Sequence, residues 1–306
     1  MRGFNGIILL ALALPAISNA AEPEWKARLT RLPPGDFSMP EACELTYHLS
    51  WSNVLKAGEA RIFFSGKGQN GQKSGEIYAK AQVRSTGLAR GLWPYDATTE
   101  SWVDRETLQP IRDSQEEEDR NERNVYRTTF NPLNVTNEWA TIVKKPGVKP
   151  VTRNRVYPQI DPCVHDMMSA MLFLRSLPSD HLDKPISLVC YPFRDAYLIT
   201  VKPMGKEPHA MLGRTVPSMK FGVTLSKIES DQSLKVYDTK MTYAHFWVSD
   251  DGLRLPLELR ANIFIGSVMV TLKGYREMGA GSPKNGTKPL VTEAKGRRPL
   301  LKRNRS

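Results

Sequence analysis

The chain is short of cysteine, of long apolar runs and of any recognisable catalytic signature, and each shortage closes off a class of protein. Three cysteines, Cys43, Cys163 and Cys190, stand in 306 residues, and their spacing matches no zinc site. The longest apolar run, residues 7–14 (IILLALAL), is far below the roughly 20 residues that a membrane-crossing helix needs. No second run of that kind follows. The G-x-S-x-G elbow, the P-loop and the dinucleotide fingerprint are all missing, so the families that depend on them are excluded and no cofactor is implied. The histidines, His48, His165, His181, His209 and His245, include no pair at the i, i+4 spacing that places two ligands on one helix face, and no metal site is expected. The acidic stretch Glu116-Glu117-Glu118-Asp119 lacks the alternating ligands and the glycine of a calcium loop.

What is present begins with export. Met1-Arg2-Gly3 is a short positive start, the apolar run follows, Pro15 breaks it, and Ser18-Asn19-Ala20 supplies small residues at a cleavage point. That is the three-part pattern of a secretory signal over residues 1–20. No cysteine sits at the cleavage point, which argues against a lipid anchor, and the expected destination is the periplasm of a Gram-negative cell. An oxidising compartment allows one disulfide. Cys163–Cys190 is the expected pair because both flank one predicted helix, with three buried thiols as the alternative. The net charge of +11 is concentrated at one end. Residues 279–306 hold eight Lys/Arg against a single acid, Glu293, so the basic character belongs to a tail and not to a folded face. The tail has no aromatic residue on which a base could stack, so nucleic acid is not an expected partner. An anionic envelope surface fits it better, as does a role confined to solubility.

Between these ends the pattern is that of strands. Residues 21–40 read as an irregular lead-in around Pro33-Pro34-Gly35. Strands are expected at Cys43–Trp51, Ala57–Ser65 and from Glu76, where Ile77, Ala79, Ala81 and Val83 alternate with Tyr78, Lys80, Gln82 and Arg84, one face buried and one wet. Further strands are expected at Asp96–Val103, Leu108–Gln115, Asn124–Phe130 and Val135–Val143, with Gln115–Glu122 as a charged hairpin tip and Asn70-Gly71 as a turn. One helix is expected from Asp161, a good N-cap followed by Pro162. It carries Val164, Met167, Met168, Met171, Leu172 and Leu174 at helical spacing, and it ends at Leu177-Pro178. Strands resume at Ile186–Tyr191, Ala196–Lys202, Ser218–Lys227, Thr239–Val248, Leu257–Ile265 and Val268–Leu272. The fold class is therefore mainly β: a long antiparallel meander of roughly a dozen strands curled into a barrel or half-barrel, with one central amphipathic helix. The domain division is a signal at 1–20, a lead-in at 21–40, one β-rich domain at 41–277 and a basic tail at 278–306.

Three segments carry a family resemblance. Cys43–Phe64 holds Trp51 and Ala57-Gly58-Glu59-Ala60. Asp161–Pro178 places Asp166, Ser169, Leu174 and Arg175 in a "D…S…LR" arrangement. Trp247–Tyr275 contains Trp247-Val248-Ser249-Asp250 and Arg254-Leu255-Pro256. Together they resemble the bacterial exported family known as domain of unknown function 3108. The resemblance implies a secreted β-rich domain akin to the curled-sheet carriers of the LolA/LolB type, and it implies no activity.

The candidate ligand contacts are aromatic and Met positions: Trp93, Trp102, Trp139 and Trp247, with Met167 and Met171 on the helix. They either line the concave face of the sheet and hold an acyl or other apolar ligand or form ordinary core. Leu88–Trp93 (LARGLW) reads as a loop that could cover such a face. A catalytic reading of Cys163 with His165 is opposed by their spacing, which on a helix sends them to different faces. The expected function is a periplasmic, non-enzymatic binding or carrier protein for an apolar envelope component. The alternatives are an envelope assembly factor that binds a protein partner and a hydrolase with no recognised motif.

Overall fold

The computed structural model describes residues 22–35, 42–52, 55–65, 73–158, 160–192, 195–236, 241–263 and 266–278. The signal segment, the Asn70-Gly71 turn and the basic tail lie outside the described residues. The first half of the chain is a meander in which each strand pairs with the next. It runs β1 (Ala42–Trp51), β2 (Leu55–Ser65), β3 (Glu76–Ser85), β4 (Asp96–Asp104), β5 (Pro110–Glu118), β6 (Glu122–Phe130), β7 (Asn134–Val143) and β8 (Val151–Pro158), with a short helix α1 (Gly87–Leu92) between β3 and β4. The chain then crosses to the opposite edge through β9 (Val164–His165), α2 (Met167–Ser176) and α3 (Ser179–Leu182). It returns through β10 (Ile186–Cys190), β11 (Tyr197–Met211), β12 (Arg214–Ile228), β13 (Leu234–Val236), β14 (Met241–Ser249), β15 (Pro256–Ile263) and β16 (Gly266–Glu277). β16 pairs with β1, so the order is β8-β7-β6-β5-β4-β3-β2-β1-β16-β15-β14-β12-β11-β10-β9, with β13 on β12. All pairs are antiparallel except β9 with β10. The fold is thus one mainly antiparallel sheet, as the strand pattern predicts, and of the barrel or half-barrel expected it takes the form that does not close. The short strands β8, β9 and β13 had no clear signal.

The two edges are nonetheless neighbours. β8 ends at Pro158 and β9 begins at Val164, and six Cα steps reach at most about 20 Å. Side chains, not ladder hydrogen bonds, join the edges there. Val135 and Tyr157 on one side pack with Val164, Val189, Tyr191 and Leu198 on the other, and the ring of Tyr191 lies 5.9 Å from Tyr157 and 6.2 Å from Phe130. The lead-in completes this seal: its 3-10 turn, Glu24–Arg28, buries Trp25 in the same cluster, and the Trp25 Nε1 donates to the Gln232 carbonyl at 2.9 Å. Towards the other end of β8, residues 151–156 are exposed. The seam is therefore shut at the Tyr157 end and open at the Val151 end.

α2 fills the interior elsewhere. Met168 and Leu172 pack on Cys43, Leu45, Phe64, Ala79 and Val103, while Phe173 and Leu177 pack on Ile186, Leu188 and Val201. The helix starts later than its sequence suggests. Asp161 looks like an N-cap, but its Oδ1 accepts from the Cys163 backbone at 2.9 Å and its Oδ2 from Arg31 Nη2 at 2.7 Å, a turn that leads into β9. The cap is Asp166, whose carboxylate accepts from Ser169 N while Ser169 Oγ accepts from Asp166 N at 3.0 Å, a reciprocal capping box.

Other local expectations also shift. Leu88–Leu92 is helical, not a loop. Glu116–Glu118 belong to β5, so the charged tip narrows to Asp119–Asn121. On β3, Tyr78 is buried on the face expected to be wet, because Phe63 and Trp102 cover its ring and its hydroxyl donates to Glu100 at 2.5 Å. On β15, Glu258 is buried and Leu259 exposed, the reverse of what their polarity suggests. All three cysteines are free, so the Cys163–Cys190 disulfide does not form. Gln109 Nε2 donates to Cys163 Sγ at 3.7 Å, and Cys190 Sγ donates to Met167 Sδ at 3.8 Å.

Candidate functional site

The inner face changes character between β4 and β8. Cross-strand partners in a sheet project to the same side, so the register identifies which residues share a level. The deepest level runs Ser101, Asp113, Thr128, Asn137, and all four are almost fully buried. Asn137 Nδ2 donates to Thr128 Oγ1 at 3.0 Å, and Ser101 Oγ donates to the α2 cap, Asp166 Oδ2. The next level runs Thr99, Gln115, Tyr126, Trp139 and Arg153. Gln115 is buried and donates to the Pro192 carbonyl at 2.9 Å, while Tyr126 and Trp139 are only half-buried. Above it lie Ala97, Glu117, Asn124 and Thr141, with Thr141 Oγ1 donating to Asn124 Oδ1 at 2.7 Å.

The buried level is electrostatically unusual. Burial pushes the Asp113 carboxyl well above the usual carboxylate range, and the nearby Asp166 pushes it in the same direction. Thr128 and Gln115 flank it and favour its charged form, but neither oxygen closes a hydrogen bond of good geometry. Asp166 is also raised by burial, against the bonds it accepts from Ser101 and Ser169. Burial lowers His165 to about 4, and its Nδ1 lies 3.2 Å from Ser169 Oγ. His165, Ser169 and Asp166 thus come together, but all are sealed from solvent. A histidine held neutral to about pH 4 is a weak base, and Ser169 is engaged in the helix cap. The Cys163 thiol is raised by burial and by Asp161, the opposite of an activated nucleophile. Among the described residues no group of three His, Cys, Asp or Glu side chains could hold a metal ion.

The aromatic and Met positions singled out in the sequence do not converge. Trp139 lies on the half-open inner face. Trp93 stands at its rim, 58% exposed, with its ring 5.3 Å from Tyr95. Tyr95 lies beside Glu117 and Tyr126, so an aromatic stripe runs from Trp93 inward to Trp139. Leu88 and Leu92 on α1 are 74% and 79% exposed beside it. Trp102 pairs with Arg112 and Tyr78 on the other face, under the Arg112 guanidinium at 4.4 Å. Trp247 is buried, stacked on His209 at 5.3 Å with Lys220 and Arg260 each 5.0 Å away, and its Nε1 donates to Glu207 at 2.5 Å. Met171 packs on the core, and Met167 is 46% exposed. The inner-face residues Tyr126, Asn124, Thr141, Gln115 and Asp113 were missed. Their signal was the period-two recurrence of polar and aromatic residues through DSQEE, NVYRT and NEWAT.

The features so far define an open, curled β-sheet plugged by one helix, with a polar and aromatic wing on its inner face. The chain belongs to the family described as "Protein of unknown function (DUF3108)", whose model matches residues 46–273. No curated protein matches it. Among solved structures it is similar to a β-barrel-like protein of domain of unknown function DUF1849 from Brucella abortus, at 8% identity, covering 78% of this chain and 98% of that one, TM-score 0.44. It is also similar to a candidate lipoprotein of Parabacteroides distasonis, at 8% identity, covering 80% and 100%, TM-score 0.31. A third is a candidate exported protein with a YmcC-like fold from Bacteroides fragilis, at 10% identity, covering 80% and 98%, TM-score 0.29. No helix among the described residues is long and apolar enough to cross a membrane.

The residues that carry the family resemblance have structural work. Asp166 and Ser169 form the capping box. Arg175 Nε donates to the Leu253 carbonyl at 2.8 Å, and Arg254 returns the contact, donating to the carbonyls of Arg175 and Leu177 and to Ser179 Oγ. Ser249 Oγ accepts from Leu255 N at 2.8 Å and donates to Asp251 at 2.7 Å. These contacts fasten both ends of α2 to the sheet.

Proposed function

We propose that the protein is an exported, periplasmic, non-enzymatic binding or carrier protein whose ligand, an envelope component with an apolar part, sits on the inner face of β4–β8. The observation that carries this reading is the half-buried pair Tyr126 and Trp139, directly opposite one another on that face. Large aromatic rings left half-covered in a concavity, beside buried polar groups, are the usual make-up of a small-molecule site. The open end of the seam at Val151 supplies a lateral entrance, and Leu88, Leu92 and Trp93 offer apolar area at the rim. The non-enzymatic part of the reading draws on the burial of His165, Ser169 and Asp166 and on the fastening role of the motif residues. One β-rich domain over 41–277 holds the site, and the basic tail adds attraction to an anionic surface. Native mass spectrometry of protein purified from its own periplasm, with extraction of bound material, tests it. A bound amphiphile of defined mass, lost on Trp139→Ala, is expected. A clean apo mass that envelope lipids do not shift would transfer weight to an assembly factor with a protein partner.

A further inference from the structure

The wing between β4 and β7 is lined by hydrogen-bonding groups more than by aliphatic ones, and that lining narrows the class of ligand. Asn124 and Thr141 face each other one level above the aromatic pair and are already oriented by their mutual hydrogen bond. Beneath them lies Asp113, almost fully buried, with neither oxygen closing a good hydrogen bond. On β4–β7 the three levels contain the carboxyls Asp113 and Glu117 and no lysine or arginine. The only cations in register with them, Arg153 and Arg155, stand on the edge strand β8.

An anionic headgroup would therefore meet carboxyls at the centre of the face and cations only at its margin. A bare acyl chain would leave the polar groups unmatched. A pyranose ring suits both parts of the lining. Its C–H faces are apolar and lie flat on aromatic rings, while its equatorial hydroxyls donate and accept around the edge. Resting on the carrier reading above, we infer that this face takes the sugar headgroup of an amphiphile. The ring stacks on Trp139 and Tyr126, its hydroxyls bond to Asn124 and Thr141, and the acyl part leaves along the stripe towards Trp93.

Three amphiphiles with the same twelve-carbon chain test this on the full mature protein, each below its critical micelle concentration: dodecyl maltoside, dodecylphosphocholine and dodecyl sulfate. Binding is read by calorimetry and by tryptophan fluorescence. The maltoside is expected to bind at least ten-fold more tightly than the phosphocholine, and free maltose is expected to compete with it. Trp139→Ala is expected to erase that preference, with Trp139→Phe retaining most of it and circular dichroism confirming the fold of both. Equal affinities for the three would overturn the headgroup assignment and leave the carrier reading standing. Tightest binding of dodecyl sulfate would also overturn it and would shift recognition to Arg153 and Arg155. Binding of none would overturn both readings. A folded Trp139→Ala that keeps the maltoside preference would remove the site from this face.

Discussion

Asp113 and His165 are both buried but titrate with opposite consequences. Asp113 is held well above the usual carboxylate range, so the folded state keeps its proton where the unfolded chain has lost it. That contribution is complete below the ordinary value near 4 and erodes as pH rises towards the folded value. Asp113→Asn, which imitates the protonated form, is therefore expected to match the parent in acid and to gain in relative stability from pH 5 to pH 8. Paired urea titrations would show the gap widening, and a variant that loses stability at pH 8 would mean that the carboxylate is ionised and paired. His165 runs the other way. Its folded value of about 4 against an unfolded 6.5 means that stability is complete above 6.5 and falls as pH drops towards 4. The loss is at most about 3 kcal/mol. His165→Asn should flatten that acid slope, read as the difference in urea midpoint between pH 7 and pH 5.

At the level of elements, α2 is fixed at both ends by side chains. Asp166→Ala removes a cap and leaves Ser101 and Ser169 without their acceptor, so a loss near the upper end of the cap range, about 2 kcal/mol, is expected in thermal unfolding. Arg254→Leu strips the carbonyls at the other end of the helix and is expected to cost a similar amount, with a larger loss of near-ultraviolet than far-ultraviolet dichroism because packing goes before strands do. Gly58 makes a third fixed point. A Cβ there would collide with the Arg84 carbonyl oxygen across the β2–β3 ladder, and Gly58→Ala is expected to destabilise by roughly 2 kcal/mol. Elements of this kind differ in how legible they are. β1 and β3 showed themselves because apolar residues recur at period two and one face is dry. The start of α2 misled because Asp161-Pro162 has the chemistry of a cap and is used as a turn instead. Tyr78 misled because alternation assumes one wet face, and there the outer face carries its own aromatic and cationic cover. The polar wing was obscured for a related reason. Asp113, Gln115, Thr128 and Asn137 alternate as core residues do, but their side chains spell a surface, and only the register shows that they share a level.

Across the whole molecule, the chain begins in the middle of the sheet, works out to one edge, crosses through α2 and returns to the middle. Protection should follow that path. Amide exchange followed by mass spectrometry is expected to be slowest in β1, β2 and β16, which have partners on both sides, and fastest in residues 151–156 of β8, where one edge is bare. Uniform protection up to β8 would mean that the edge is covered by something else.

The seam has a mechanical consequence. In a closed barrel, strand number and stagger dictate the radius, and any change of bore must break ladder hydrogen bonds. Here the two margins meet through the rings of Phe130, Tyr157 and Tyr191, which can slide or part without costing a single backbone pair. On the proposed carrier role, spreading at the open end would break side-chain contacts, the Gln115 bond to the Pro192 carbonyl among them, and no ladder hydrogen bond, much as a clasp fastened at one end lets the other spread.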